Sequence, residues 1–155
     1  MIVIRKATNG DSESAWNLRN AAINEKCIGL YPPNVLKIWT AGNKSEIFVS
    51  DVVRCFYVAT VGNHVIGTAA IDIDKRQIDA VFVHPDHMGR GVGRRLMVHM
   101  ESLARAKGLK DVVLDATLNA VPFYRACGFT GEGVKTYNSP RGIVIDCISM
   151  SKFLG

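Results

Sequence analysis

The sequence lacks the apolar segments that place a chain in or through a membrane. It has no run of about 18 apolar residues, the length that spans a bilayer as a helix. Residues 1–6 have the character of a strand, and they lack the charged start and the small-residue cleavage site of a secretory signal. The sequence therefore predicts a cytoplasmic protein with no membrane partner.

Patterns typical of metal sites and disulfide frameworks are also missing. Four cysteines are spread along the chain without a C-x-x-C pair: Cys27, Cys55, Cys127 and Cys147. Neither a zinc site nor a disulfide framework is predicted from this spacing. His84 and His87 stand three residues apart, which is weak evidence for a metal, so no metal is expected.

The bulk composition limits the number of domains and the kind of partner. With 155 residues, 48% of them hydrophobic, residues 1–155 are predicted to form a single domain. The net charge of +5 is moderate, and the basic residues are scattered apart from Arg90, Arg94 and Arg95. A surface that binds nucleic acid would interleave aromatic residues with such a cluster, and none stands beside these arginines. Nucleic acid is therefore the least favoured partner.

The most informative segment is residues 78–98, where a strand-like run leads through a glycine loop into a helical pattern. Gly89, Gly91 and Gly93 lack side chains, so their backbone N–H groups can converge on an anion. The helix that follows adds the positive end of its dipole, and the three arginines add charge. The loop predicts a site for a diphosphate, although a loop of this kind taken alone is also compatible with a plain turn.

Two common nucleotide-binding loops do not fit this spacing. A Walker A loop needs Lys followed by Ser or Thr after its last glycine, where this chain has Arg94 and Arg95. A dinucleotide-binding loop needs G-x-G-x-x-G in the turn directly after the strand, whereas here G-x-G-x-G follows a five-residue spacer. The remaining candidate is the pyrophosphate loop of a transferase that depends on acyl-CoA.

The segment resembles the GNAT superfamily of N-acetyltransferases, whose signature is Q/R-x-x-G-x-G/A after a strand that ends in V-x-P. Residues 83–85 supply the V-x-P element, Gly91 and Gly93 match the glycines, and Val92 stands between them. Met88 stands where the family usually has Gln or Arg. This departure removes one polar side chain from the loop and none of its backbone donors.

A second segment, residues 120–129, reads A-V-P-F-Y-R-A-C-G-F and predicts a short helix that ends at a glycine cap. It resembles the GNAT element A-x-x-F/L-Y-x-x-x-G-F, in which the tyrosine hydroxyl lies near the sulfur of CoA. Tyr124 holds that position. The family often has Asn seven residues earlier, where this chain has Thr117; Asn119 does not inherit that role.

The predicted elements follow the GNAT order over essentially the whole chain. They are strand 2–5, helix 11–24, a helix from Pro33, a helical piece at 45–52, strands 54–61, 64–73 and 78–83, helix 91–106, strand 111–114, a helix within 120–129, and strands near 131–137 and 143–153 joined by residues 139–142. The predicted fold class is α/β (α+β), the GNAT acyl-CoA N-acyltransferase fold. It implies a mixed, mostly antiparallel sheet of about seven strands, with helices on both faces and a splay between the fourth and fifth strands.

The resemblance implies acetyl-CoA as cosubstrate and suggests which residues contact it. The pantetheine arm is expected between the splayed strands, and the pyrophosphate on the glycine loop. The implied residues are Val81, Phe82, Val83, Met88, Gly89, Arg90, Gly91, Val92, Gly93, Arg94, Thr117 and Phe123.

Acetyl transfer to an amine needs an unprotonated nucleophile, a polarised carbonyl and a proton for the departing thiolate. Tyr124 is predicted to donate that proton; the alternative is that its ring only packs beside the cofactor. Asp79 shares strand parity with Val81 and Val83, so its carboxylate is expected to point into the acceptor cleft and act as the base. A water chain in that role, with Asp79 as a structural hydrogen-bond partner, is the alternative.

The acceptor is expected against the N-terminal helices, where Tyr31 and Trp39 are the notable residues. Two aromatic side chains can form a wall for an aryl or cationic amine, and aromatic residues at helical spacing are also typical of a core. Their Y-(x)7-W spacing resembles a subgroup of small, single-domain GNAT proteins of bacterial type.

The predicted function is therefore transfer of the acetyl group of acetyl-CoA to a primary amine of a small molecule. A protein or peptide acceptor and a non-catalytic acyl-CoA sensor stay open. The last strand offers an edge through which a homodimer could pair.

Overall fold

Seven strands form one mixed sheet in the computed structural model, which describes residues 1–139 and 141–155. The strands are β1 (Ile2–Lys6), β2 (Phe56–Val61), β3 (His64–Asp72), β4 (Gln77–Val83), β5 (Asp111–Thr117), β6 (Thr130–Asn138) and β7 (Val144–Phe153). They lie in the order β1-β2-β3-β4-β5-β7-β6, and every neighbouring pair is antiparallel except β4 and β5. The predicted fold class is confirmed.

Five helices cover the two faces of this sheet: α1 (Ser12–Lys26), α2 (Pro33–Trp39), α3 (Glu46–Cys55), α4 (Val92–Ala106) and α5 (Val121–Ala126). Leu96 and Met100 of α4 pack with Ile71 in one core cluster, whereas Ala15 of α1 packs with Ala70 in another. Because neighbouring residues of a strand point to opposite faces, α1 and α4 lie on opposite sides of β3.

Several boundaries differ from the sequence-based expectation. Residues 54 and 55 belong to α3 and not to β2; Ser45 caps this helix by accepting a hydrogen bond from the backbone N–H of Phe48 at 3.1 Å. β5 continues to Thr117, because the buried alternation at Val112 and Leu114 extends to Ala116. The predicted turn at 139–142 includes Pro140, which lies outside the described residues.

The last strand does not form an edge of the sheet. β7 pairs with β5 on one side and with β6 on the other, so the edge strands are β1 and β6. The expectation that the C-terminal strand offers a free edge is therefore wrong, because the hairpin folds β6 onto its outer side.

β4 and β5 separate almost as soon as they meet. Their parallel register consists of Gln77 opposite Val113, where the N–H of Val113 donates to the carbonyl of Arg76 at 2.8 Å. β5 pairs along its whole length with β7 instead. The predicted splay between the fourth and fifth strands is thus present, and it leaves the β5 side of residues 81–83 open.

A β-bulge in β4 changes which side chains share a face. Phe82 lies opposite Thr68 and Asp79 lies opposite Ala70, so three steps along β4 match two along β3. Ala80 has φ +53, in the left-handed region that a residue with a Cβ rarely adopts. The extra residue moves the Asp79 side chain by one step relative to the rest of the strand.

The bulge overturns the parity argument made from the sequence. Val81 and Val83 pack into the cluster formed with α4, whereas Phe82 packs into the cluster formed with α1 and α2. Asp79 shares the face of Phe82, because Ala70 and Thr68 opposite them share a face of β3. Asp79 therefore does not share parity with Val81 and Val83, although it still reaches the cleft.

Three further observations concern the described residues alone. No helix among them combines the length and the apolar character needed to cross a membrane. They hold no group of three or more His, Cys, Asp or Glu side chains that could bind a metal ion. All four cysteines are free thiols.

Candidate active site

The glycine loop leads into α4 through two left-handed residues. Gly91 is the N-cap with φ +81, and Gly89 has φ +74, a conformation that favours glycine. A Cβ added to either residue would meet no atom within 4 Å, so the space over the loop is open. The first N–H groups of a helix have no partner within the helix, so this N-terminus fits a pyrophosphate.

Gly93 lacks a side chain for a different reason. A Cβ added there would lie 3.0 Å from Cζ of Phe123 and 3.6 Å from Cγ2 of Val83. Phe123, and not a ligand, therefore occupies the space next to Gly93. Its ring packs against the first turn of α4. Val92 is also turned inward, and its side chain is buried in the core.

The three arginines near the loop have different surroundings. Nη2 of Arg94 donates to the carbonyl of Ala126 at 3.4 Å, and Nη2 of Arg95 donates to the carbonyl of Ile2 at 3.3 Å. Arg95 is thus directed to β1, away from the loop. Arg90 lies in the loop itself and is exposed.

A channel of about 130 Å³ follows the splay between β4 and β5. Residues 80–83, Met88, Thr117 and Tyr124 line it, together with the last turn of α1. Met88 stands between the glycine loop and this channel, so the position where the family usually has Gln or Arg faces the cavity. The channel ends at Met88, the residue before the open glycine loop, so the two features lie next to each other in a way that suits the arm and the pyrophosphate of CoA.

Tyr124 is buried in this channel wall. Its ring makes edge contacts with Phe123 at 5.2 Å and with Phe129 at 6.0 Å between ring centres. Burial, and to a smaller extent the negative charge of Asp79, raises the pKa of Tyr124 far above its ordinary value. The phenol therefore keeps its proton at neutral pH.

A larger cleft of about 640 Å³ lies on the face covered by α1 and α3. It shares four lining residues with the channel: Ala80, Phe82, Asp115 and Thr117. Because both cavities are bounded by these residues, they adjoin where β4 and β5 separate.

Asp79 lies in the larger cleft. Its side chain is exposed by surface area, yet the walls around it reduce its solvation, and this desolvation raises the pKa of Asp79. Gln77 opposes the shift by donating from Nε2 at 3.1 Å, whereas the charges of Asp115 and Asp72 add to it. The carboxylate is accessible and poorly solvated, which makes it a better proton acceptor than an ordinary aspartate.

The two aromatic residues predicted for the acceptor have different positions. Tyr31 lines neither cavity; its hydroxyl donates to the carbonyl of Asp146 at 2.6 Å and accepts from the N–H of Leu118 at 3.0 Å. Burial raises the pKa of Tyr31 to about 12. Trp39 lines the cleft, and its ring lies 5.6 Å from that of Tyr31. Of the two predicted residues, Trp39 thus lines the cleft, whereas Tyr31 packs behind it and its hydroxyl joins the N-terminal helices to β7.

The sequence alone did not single out several residues that line the cavities. Asp115 lies beyond the predicted end of β5, and Arg19 lies on a helix face that no motif marks. The thiol of Cys27 donates to Oδ1 of Asn119 at 3.3 Å, and both residues line the channel. Burial raises the pKa of Cys27 to about 11, so this thiol stays protonated at neutral pH. The longer apolar alternation of β5 was the one signal that could have revealed Asp115.

Comparison with known sequences agrees with this geometry. The model of the acetyltransferase (GNAT) domain matches residues 53–131. The glucosamine 6-phosphate N-acetyltransferase of Schizosaccharomyces pombe is 29% identical over 98 residues, which are 55% of this chain and 88% of that protein. Of three other curated relatives, the matched part is 35%, 44% and 56% of their length.

Comparison with solved structures shows the same fold. The GCN5-related N-acetyltransferase from Rhodopseudomonas palustris superposes with a TM-score of 0.89 at 24% identity, over 97% of this chain and 94% of that one. The PaiA N-acetyltransferase from Thermoplasma acidophilum, solved in complex with coenzyme A, superposes with a TM-score of 0.77 at 20% identity, over 99% of both chains. Because the family model spans just over half of the chain and includes both the glycine loop and Tyr124, this protein belongs to the GNAT acetyltransferase family, whose cosubstrate is acetyl-CoA.

Proposed function

We propose that this enzyme transfers the acetyl group directly from acetyl-CoA to a primary amine of a small molecule, with Tyr124 as general acid and Asp79 as general base. One observation carries the proposal. The channel that contains Tyr124 adjoins the cleft that contains Asp79 where β4 and β5 separate. An amine in the cleft would reach a thioester in the channel at this junction.

The acid role follows from the protonation state and the position of Tyr124. The departing sulfur carries negative charge as the thioester C–S bond breaks, and it needs a proton. A phenol with a raised pKa stays protonated at neutral pH, and its burial beside the channel excludes bulk water from competing. A raised pKa also makes the phenol a weaker acid, so the acid role rests on the position of Tyr124 in the channel wall, beside the place where the thiolate would form.

The base role follows from the position of Asp79. A primary amine is protonated in water and must lose a proton before its nitrogen can attack the acetyl carbonyl. The carboxylate of Asp79 is accessible inside the cleft, and its raised pKa makes it a stronger base than an ordinary aspartate. Asp115, which accepts hydrogen bonds from Lys135 at 3.1 Å and from Ser149 at 3.2 Å, is already paired.

We assign the contacts of the acetyl-CoA arm by the residues that line the channel, and those of its pyrophosphate by the glycine loop and its arginines. Backbone groups of residues 81–83, with Met88 and Thr117, would hold the arm. Gly89, Gly91, Arg90 and Arg94 would hold the pyrophosphate. Val92, Gly93 and Phe123 are assigned a supporting role, because their side-chain positions are taken up by packing.

Three observations favour a small acceptor and a direct transfer. The cleft of about 640 Å³ lies in the usual range of small-molecule pockets, roughly 300–1,000 Å³. The relative from Schizosaccharomyces pombe is named for glucosamine 6-phosphate, a small amine. The buried thiol of Cys27, which stays protonated at neutral pH, is unsuited to carry the acetyl group as a covalent intermediate.

We further propose that residues 1–155 act as one catalytic domain, since a single sheet joins both halves of the site. Four free thiols fit a reducing compartment, which supports the cytoplasm as the location. A homodimer would form through β6, an edge strand that exposes Val134 and Tyr137.

The test is thiol release from acetyl-CoA, followed with a thiol reagent against a blank without amine that accounts for the protein's own cysteines. The panel contains aliphatic and aryl amines, glucosamine, glucosamine 6-phosphate, and peptides with free amino groups. Release that depends on a small amine is expected. Release with peptides alone would replace the small acceptor by a protein, and binding of acetyl-CoA without release from any member would contradict the proposal.

A further inference from the structure

One end of the acceptor cleft is cationic, and the proposed chemistry does not use it. Arg19 of α1 lines the cleft beside Trp39 and Tyr137. Its Nη1 donates to Oδ1 of Asn20 at 2.6 Å and to the carbonyl of Trp39 at 3.2 Å, and its guanidinium lies 4.6 Å from the centre of the Trp16 ring. These contacts hold the guanidinium in place and leave the donors on Nε and Nη2 for a ligand.

A second arginine stands beside the first. The guanidinium of Arg141 lies 5.3 Å from the centre of the same Trp16 ring. Its Nη1 donates to the carbonyl of Ile38 at 3.3 Å and also to the carbonyl of Ala41. Two positive charges therefore lie near one indole ring, and one of them, Arg19, lines the cleft.

No carboxylate balances these two charges. Within residues 1–139 and 141–155, neither Arg19 nor Arg141 forms a salt bridge with Asp or Glu. Arg54, which lines the same cleft, lies 3.0 Å from a carboxylate oxygen of Asp51 and 3.8 Å from one of Asp72. Of the two arginines that line the cleft, Arg54 thus has carboxylate partners and Arg19 has none within the described residues.

The environment of Arg19 disfavours an isolated positive charge. Desolvation, followed by repulsion from Arg141, lowers the pKa of Arg19 to about 10. A poorly hydrated guanidinium with free donors binds a carboxylate or a phosphate well, because the anion supplies both the missing charge and the missing acceptors.

The register of β7 gives the distance between the two ends of the cleft. The end of the cleft that contains Asp79 also contains Asp115, which lies opposite Ser149 of β7. At the cationic end, Tyr137 lies opposite Ile145 of β7. Four residues of an extended strand span about 13 Å. The two ends are therefore far enough apart to hold the two ends of one small molecule.

We infer that Arg19, with Arg141 beside it, binds an anionic group, a carboxylate or a phosphate, on the amine acceptor. The acceptor then carries its amine near Asp79 and its negative charge at the opposite end of the cleft. This inference rests on the proposed function, since it places the acceptor in the same cleft.

Two tryptophan side chains near this site allow ligand binding to be measured by fluorescence. The chain's two tryptophans are Trp16, which contacts both guanidinium groups, and Trp39, whose carbonyl accepts from Arg19. Tryptophan fluorescence can therefore report binding without any acetyl transfer when CoA replaces acetyl-CoA. Two matched pairs of amines separate the two anionic groups: aminohexanoate with hexylamine, and aminohexyl phosphate with aminohexanol.

We expect at least one anionic amine to bind about tenfold more tightly than its neutral partner. Arg19→Gln should abolish most of that preference, Arg19→Lys should keep part of it, and Arg141→Gln, at an exposed side chain, should weaken it. Lys107→Gln, which removes one positive charge from an exposed position outside both cavities, is the matched control and should leave the preference unchanged.

Equal affinities within both pairs for the wild-type protein would overturn the inference, as would an unchanged preference in both the Arg19→Gln and Arg141→Gln variants. Preference in one pair alone identifies the group as carboxylate or phosphate. These outcomes are independent of thiol release, so equal binding within both pairs by a protein that still releases thiol with amines would refute the anionic site and leave the proposed function in place.

Discussion

Lys152 donates a hydrogen bond of 2.8 Å to Glu101, a carboxylate on α4 whose side chain is only 7% exposed. The same Nζ donates to the carbonyl of Cys127, just after α5, at 2.7 Å. Gly128 makes room for this contact, because a Cβ there would lie 3.1 Å from Cε of Lys152. One lysine of β7 therefore ties the helix that follows the glycine loop to the helix that carries Tyr124.

Lys152→Met should destabilise the protein by about 3 kcal/mol, because it leaves the buried Glu101 carboxylate with only its longer contact to Arg105 at 3.7 Å. Urea unfolding measures the loss. The double variant Lys152→Met with Glu101→Gln removes the buried negative charge as well and should recover part of the lost stability. Equal losses in the single and double variants would show that packing, and not the ion pair, is responsible.

Tyr124→Phe should lower kcat by about 100-fold and leave the KM for acetyl-CoA within about twofold, since the ring keeps its contacts and only the proton donor is lost. Steady-state thiol release measures both constants. Tyr57→Phe, at a half-buried position on β2 outside both cavities, controls for the loss of a hydroxyl. Wild-type turnover in Tyr124→Phe would assign the residue to packing alone.

Asp79→Asn should remove the acidic limb of the pH dependence of kcat/KM. The carboxylate is the active form of a base, so kcat/KM of the wild-type enzyme should rise with pH through the raised pKa of Asp79. Asp74→Asn, at an exposed position in the turn after β3, is the matched control. A profile in Asp79→Asn that keeps the wild-type limb would assign proton removal to water.

Gly91→Ala should weaken acetyl-CoA binding severalfold and cost about 1–2 kcal/mol of stability, because φ +81 is strained for alanine. Gly93→Ala should also destabilise the protein, in this case by displacing Phe123. Gly62→Ala, at φ +59 in the β2–β3 turn and equally open, carries similar strain away from the loop. Calorimetric affinities that fall equally for Gly91→Ala and Gly62→Ala would argue against the pyrophosphate assignment.

Stability should fall between about pH 4 and pH 2. Hydrogen bonds from Arg5 lower the pKa of Asp11 to about 2 from 3.8, so this carboxylate stabilises the fold above its unfolded pKa and loses that effect as it is protonated. Because Arg5 is 43% exposed, the contribution is about 1–2 kcal/mol. Urea unfolding at pH 6 and pH 2 should show a smaller difference for Asp11→Asn than for the wild-type protein.

Local features of the chain were sufficient to predict the elements to which we assign the cofactor. The strand before the glycine loop, the helix after it and the short helix with Tyr124 all depend on contacts between residues a few positions apart, which periodicity and glycine spacing reveal. Tyr31 shows the limit of such patterns. Its hydroxyl binds backbone groups of Leu118 and Asp146, which are distant in the sequence, so nothing near Tyr31 could indicate a structural role.

The sequence by itself determined the order of elements, the family resemblance and the match of Tyr124 to the tyrosine of the family's motif, because each rests on short motifs. Only the tertiary structure decided which way Asp79 faces, since the bulge at Ala80 arises from pairing between β3 and β4 and shifts the side chain by one step. Only the tertiary structure brought Arg19 and Arg141 to one tryptophan, from positions 122 residues apart. Side chains from distant segments line the cleft proposed for the acceptor, and no local pattern of this chain indicates that they lie together.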